Sequence, residues 1–258
     1  MPVSRIARVA VVAAALCALP SLALAQAKPF EPTVGQAGKD VVWVPTPQAL
    51  VEKMLDLAKV APQDFLMDLG SGDGRTVITA AKRGLRAQGV EYNPDMVDLS
   101  KRNATAAGVA DKATFVKADL FETDFSKAQV VTMFLLPSIN LRLRPTILNM
   151  KPGTRVVSNS FTMDDWQADA TTTVEGDCPT WCTAYLWIVP AKAEGAWTLG
   201  SNTLTLTQKF QNVTGTLGST AITGGKLRGD EITFSAGGTK YTGKVNGNSI
   251  SGTMSGGS

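Results

Sequence analysis

Asp64-Phe65-Leu66-Met67-Asp68-Leu69-Gly70-Ser71-Gly72-Asp73-Gly74-Arg75 is the stretch from which the rest of the chain can be read. Phe65, Leu66, Met67 and Leu69 form a short apolar run of the kind that makes a buried strand. The run breaks into three glycines, and a helical pattern starts near Arg75. Strand, glycine-rich turn and helix are the parts of a nucleotide-binding crevice. The glycines allow a tight turn and let a ligand approach main-chain N–H groups. Asp68 and Asp73 flank them. Two carboxylates repel a pyrophosphate but not a cationic or zwitterionic ligand. The Lys-Ser/Thr ending of a phosphate-binding P-loop is missing.

Outward from this turn, strands and helices alternate. Residues 76–82 continue the helix and Gly84 stops it. A second strand over residues 87–90 ends at Glu91, about 20 residues past the glycines, where dinucleotide folds place an acid on ribose hydroxyls. Asn93-Pro94 caps a helix over residues 95–107. A third strand, residues 113–117, leads into Ala118-Asp119-Leu120-Phe121. Residues 129–135 are a continuous apolar run, as in a strand covered on both faces, and exit through Leu136-Pro137-Ser138-Ile139-Asn140. A helix over residues 141–150 and a strand over residues 154–159 follow; Val174 and residues 184–189 supply the last strands. Upstream, Thr46 reads as the N-cap of a helix with Pro47 in its first position, and residues 28–44 as an extended entry segment. The expectation is an α/β fold: a doubly wound, mostly parallel sheet over residues 41–190.

Length, composition and charge set bounds. At 258 residues there is room for one large domain or a medium and a small one. Hydrophobic content of 44% and charged content of 18% indicate a globular chain. A net charge of +3 without a Lys/Arg block gives no reason to expect nucleic acid. Histidine is absent, which removes Ser-His-Asp and Cys-His chemistry and His-based metal sites; no metal site is expected. Arg5 and Arg8 precede an apolar run over residues 9–19, then Pro20 and Ala23-Leu24-Ala25. This is the layout of a secretory signal peptide over residues 1–25, cleaved after Ala25. The rival is an uncleaved anchor, the one case in which a membrane is a partner. Either way the body lies outside the cytoplasm, a periplasmic location being expected. Losing Arg5 and Arg8 takes the net charge from +3 to +1. Cys178 and Cys182 bracket Pro-Thr-Trp; a small-loop disulfide and two free thiols both remain open.

Asp-Leu-Gly-Ser-Gly-Asp-Gly resembles the first motif of class I methyltransferases, which bind S-adenosylmethionine (SAM). Together with Val44-Pro45-Thr46-Pro47, Phe134-Leu-Leu-Pro-Ser-Ile-Asn140 and Lys151-Pro-Gly-Thr-Arg-Val-Val-Ser158, it is similar to the seven-strand protein lysine methyltransferases, those of the mitochondrial ATP synthase c-subunit lysine type in particular. The resemblance implies a transferase acting on a nucleophilic nitrogen, with a protein or small-molecule acceptor. It places the cofactor on Asp68, Gly70, Ser71, Gly72, Asp73 and Gly74, its ribose on Glu91, its adenine amino group on Asp119 and its adenine ring against Leu120 and Phe121. Pro45 and Thr46 close over its methionine end. Trp43, Phe134 and Leu136 are the implied walls of an acceptor channel, with Asn140 orienting the amine. The chain departs from the pattern in carrying Trp43 where the family has tyrosine, and in carrying an export signal although SAM is made in the cytoplasm. An exported protein of this fold without transferase activity, and a small-molecule methyltransferase, are the alternatives.

Composition changes after Pro190. Residues 191–195 read as a linker. Short alternating runs separated by glycine then follow, with hairpin turns at Gly229-Asp230 and Asn246-Gly247-Asn248. A small antiparallel β domain over residues 196–258 is expected, either a packing module or a carbohydrate- or protein-binding one.

Overall fold

The computed structural model describes Met1, Val3 and residues 30–176 and 178–256. Apart from Met1 and Val3, the signal-peptide reading lies outside the described residues. The described residues from Glu31 onward pack as one compact unit.

The elements run in chain order as α1 (Gln48–Leu57), β1 (Phe65–Leu69), α2 (Arg75–Lys82), β2 (Arg86–Glu91), α3 (Pro94–Ala106), β3 (Ala113–Lys117), β4 (Val130–Met133), α4 (Pro137–Leu148), β5 (Arg155–Asn159), β6 (Ala170–Thr173) and β7 (Thr183–Ile188). The seven strands form one sheet in the order β3-β2-β1-β4-β5-β7-β6. The first five are mutually parallel. β7 is antiparallel to both β5 and β6. Successive residues of the central strands feed opposite cores, as the pleat requires. Leu66, Val130 and Val157 face α1, α2 and α3. Met67, Val131 and Val156 face α4 and the Trp166–Trp187 pair. Covering on both faces explains why β4 is apolar throughout.

Two boundaries differ from the sequence reading. The fourth helix starts at Pro137 instead of residue 141, which carries Asn140 into the helix. Pro47, not Thr46, stands at the N-cap of α1, and no side chain caps that end. The Thr46 hydroxyl instead accepts from Asn159 Nδ2 at 3.2 Å, tying the entry segment to the end of β5. That tertiary bond outweighs the local capping preference.

The C-terminal residues form a separate eight-stranded antiparallel sheet of β8 (Gly195–Leu199), β9 (Asn202–Lys209), β10 (Asn212–Leu217), β11 (Thr220–Ala221), β12 (Thr223–Arg228), β13 (Glu231–Ala236), β14 (Thr239–Asn246) and β15 (Ser249–Ser255). Alternation is clear in β13, where Ile232, Phe234 and Ala236 are buried and their neighbours are less so. The β9–β10 turn holds this sheet to the first. Phe210 stacks on the buried Trp166 with centroids 5.7 Å apart, Arg144 lies over the Phe210 ring, and Gln211 Nε2 donates to the carbonyl of Gln167 at 2.8 Å.

Candidate active site

The carboxyl ends of β1 to β4 open into one crevice, as in other open α/β sheets. Of the residues singled out from sequence, Trp43, Pro45, Thr46, Asp68, Gly70, Ser71, Gly72, Asp73, Glu91, Asp119, Leu120 and Phe134 all line it. Gly74, Phe121, Leu136 and Asn140 do not. Counting the open solvent at its mouth, the crevice encloses about 1040 Å³.

The glycine turn works differently from the sequence expectation. Three of its N–H groups are directed at β2: Gly70 and Ser71 both donate to the Val90 carbonyl, at 2.9 and 3.0 Å, and Gly72 donates to Glu91 Oε2 at 3.0 Å. What the glycines supply is close approach. Gly72 has φ +54, and a Cβ there would stand 2.6 Å from the Trp43 indole nitrogen. Gly74, at φ +82, abuts the Phe115 ring and Ser100, where a Cβ would come within 2.7 and 2.9 Å. Its role is to let β3 and α3 pack against the start of α2, away from the crevice.

Four of the carboxylates lining the crevice stand in four distinct states. Asp68 is buried at the end of β1 and accepts from Thr132 Oγ1 at 2.6 Å. Burial, with smaller repulsion from Asp73 and Glu91, raises its pKa from the ordinary 3.8 to about 7, the Thr132 bond opposing the rise. Asp73 forms a two-pronged pair with Arg75, whose Nη2 and Nε lie 2.6 and 3.0 Å from its oxygens. Arg75 also donates to the Thr46 carbonyl. Glu91 accepts from two backbone amides, Gly72 through Oε2 and Asn93 through Oε1. Each oxygen keeps a second lone pair for a ligand hydroxyl. Asp119 pairs with Lys39, and that contact first, then the Phe121 N–H, holds its carboxyl below the usual range.

Lys39 was not legible from sequence. It belongs to residues 36–46, which run along the crevice as a strap. Its ammonium also sits over the Tyr92 ring, 4.8 Å from the centroid. Trp43, expected as a channel wall, lies on the glycine turn. Phe121 turns its ring under the Arg142 guanidinium, 3.6 Å away, and so leaves Leu120 as the apolar contact at this end. Asn140 is fully buried in α4. Its Nδ2 donates to the carbonyls of Phe161 and Thr162, each at 3.3 Å, so it fixes the chain after β5 and does not face the crevice.

Across the described chain, the model of the ANTKMT methyltransferase domain matches residues 68–170. A protein-lysine N-methyltransferase of Saccharolobus islandicus is 43% identical over 152 residues, which cover 94% of that relative and 58% of this chain. The chain belongs to the SAM-dependent methyltransferase family. A further relative of this methyltransferase is the mouse lysine N-methyltransferase of the ATP synthase c-subunit, 40% identical over 108 residues; this chain spans 44% of its length. Among solved structures, a Salinibacter ruber protein described as an RNA methyltransferase in complex with S-adenosyl-L-homocysteine (SAH) is 48% identical. It superposes with a TM-score of 0.54 over 58% of this chain and 96% of its own.

The methyltransferase's own residues fit SAM. Acids stand at the ends of β1, β2 and just past β3, none of them suited to a phosphate. Ser71 Oγ is buried in the glycine turn without a hydrogen-bond partner, an orphan polar atom at the crevice wall.

Proposed function

We propose that this methyltransferase modifies the ε-amino group of a protein lysine, outside the cytoplasm. The observation that carries the proposal is the row of acids at Asp68, Glu91 and Asp119 along the crevice of a chain that is 43% identical over 152 residues to a protein-lysine methyltransferase. The amino-terminal residues support export, and the closed Cys178–Cys182 disulfide suits an oxidising compartment.

When bound, SAM supplies a methyl group made electrophilic by the sulfonium and leaves as the neutral thioether. Asp68 would hold the amino-acid end, Glu91 the ribose hydroxyls, and Asp119 the adenine amino group once Lys39 has moved aside. Leu120 and Met96 offer apolar contacts. The acceptor amine must be neutral to attack, and its proton goes to solvent beforehand. An apolar wall lowers an amine's pKa by penalising the charged form. Leu135, at the exit of β4, supplies that wall and, with Phe134, excludes water. The remaining work is positioning.

Labelled SAM, incubated with purified enzyme and cell-envelope protein, should yield methyl-lysine on acid hydrolysis. Label confined to small molecules would defeat the lysine reading. The Salinibacter relative, described as an RNA methyltransferase, favours a second reading, RNA as acceptor. The net charge of +1 left after removing Arg5 and Arg8 argues against it, and labelled RNA in a parallel assay would establish it.

A further inference from the structure

Phe134, at the mouth of the crevice, has two aromatic neighbours from distant parts of the chain. Phe161 stacks beside it with centroids 6.1 Å apart and planes at 22°. Trp181 lies 5.9 Å from Phe134 and 5.2 Å from Phe161. Phe134 follows β4, Phe161 follows β5, and Trp181 sits in the β6–β7 connection. All three therefore stand at the crevice end of the sheet, since β6 runs parallel to β5. The cluster is not core: Trp181 is 42% exposed, and Phe134 and Phe161 are half-buried.

Its backbone is held in an uncommon conformation at two points. Trp181 has φ +60, and Ser160, just before Phe161, has φ +57. Non-glycine residues seldom adopt this region, and such residues gather at functional sites. Each is locked by a specific device. Trp181 lies inside the five-residue ring closed by the Cys178–Cys182 disulfide. The turn after Ser160 is pinned by the buried Asn140 amide.

We propose that Phe134, Phe161 and Trp181 form the acceptor-recognition wall, that it takes a primary amine on an aliphatic stem, and that it is complete only while the disulfide is closed. The proposal rests on the lysine reading above. A lysine stem can lie on ring faces, and the ammonium, before losing its proton and again after methylation, is attracted by ring quadrupoles. Phe134 belongs to both the wall and the crevice, so an amine seated on the rings faces the cofactor side. Reduction frees Trp181 to leave its left-handed conformation, and the wall loses its outermost ring. Asn140 acts here as a positioning residue.

The test is methyl transfer to an oligolysine decamer, with the SAH Kd measured in parallel. Trp181→Leu should raise KM for the peptide about tenfold while kcat and the SAH Kd stay put. Trp181→Phe, which keeps a π face, should stay within about threefold. Dithiothreitol should shift the wild type to the Trp181→Leu value and leave Trp181→Leu itself unchanged. Equal KM values for Trp181→Leu and wild type would overturn the proposal. So would transfer insensitive to dithiothreitol, or no transfer by a wild type that binds SAH. If Trp181→Leu fails to fold, seen as lost SAH binding, the dithiothreitol arm decides. A folded wild type that binds no SAH would sink the cofactor reading instead.

Discussion

Replacing Asp68 with asparagine should stabilise the ligand-free protein and weaken SAM binding, two effects of opposite sign from one atom. Asp68 is buried at the end of β1, and its pKa stands at about 7 against an ordinary 3.8. For an acid raised in the folded state, the native protein binds more protons than the unfolded chain between those values. Stability therefore falls as pH rises through that window. Integrating the two titrations puts the penalty at about 2 kcal/mol at pH 5 and about 4 kcal/mol at pH 8. Asparagine removes the charge and keeps an acceptor for Thr132 Oγ1. It also introduces an amide donor that costs about 1–3 kcal/mol if left unpaired. That cost does not vary with pH, so the quantity to read is the difference: Asp68→Asn should gain about 2–3 kcal/mol more at pH 8 than at pH 5. Urea unfolding of both proteins at the two pH values measures it. In the same buffers, wild-type affinity for SAM should rise as pH passes 7, where Asp68 ionises, and the variant's should not. A stability difference that is the same at both pH values would refute the reasoning, because it would mean that Asp68 is ionised throughout.

Glu91→Ala removes the carboxylate proposed to hold the ribose hydroxyls and should weaken SAH at least about tenfold by calorimetry, given the strength of hydrogen bonds to charged groups. Asp119→Ala should weaken it less, since Lys39 already engages that carboxyl. Lys39→Ala should tighten SAH by no more than about fivefold, because an exposed ion pair is a weak competitor; a large loss of affinity would instead make Lys39 part of the bound site. Gly72→Ala, forced to φ +54 and against the Trp43 indole, should cost about 1–3 kcal/mol of stability in thermal melts. Phe210→Ala should lower the melting temperature of the whole molecule through loss of the Trp166 stack; an unchanged melt would show that the two sheets are not coupled there.

Local chemistry was legible before the structure; contacts closed over long separations were not. Strand, glycine turn and helix at residues 65–82 follow from apolar runs and breakers a few residues apart, and Asn93 caps α3 as its type and the following proline imply. The hairpin turns at Gly229-Asp230 and Gly247-Asn248 are likewise set by their own residues. By contrast, Lys39 meets Asp119 across 80 positions, and nothing in an exposed lysine announces its partner. Trp181, Phe161 and Phe134 converge only because β4, β5 and β6 end on one side. Thr46 had the residue type of a cap but was taken by Asn159, and Asn140 lay in a helix that began four residues earlier than its periodicity indicated. Proline at the first position permits that early start.

The central claim is that a sulfonium nucleoside occupies the crevice between the glycine turn, Glu91 and Asp119. A crystal grown with SAH tests it most directly. In it the ribose hydroxyls should lie on Glu91 and the adenine beside Leu120 and Asp119, with Lys39 withdrawn from the Asp119 carboxyl. SAH bound elsewhere, with Lys39 still on Asp119 and residues 36–46 closed over the glycine turn, would contradict the claim.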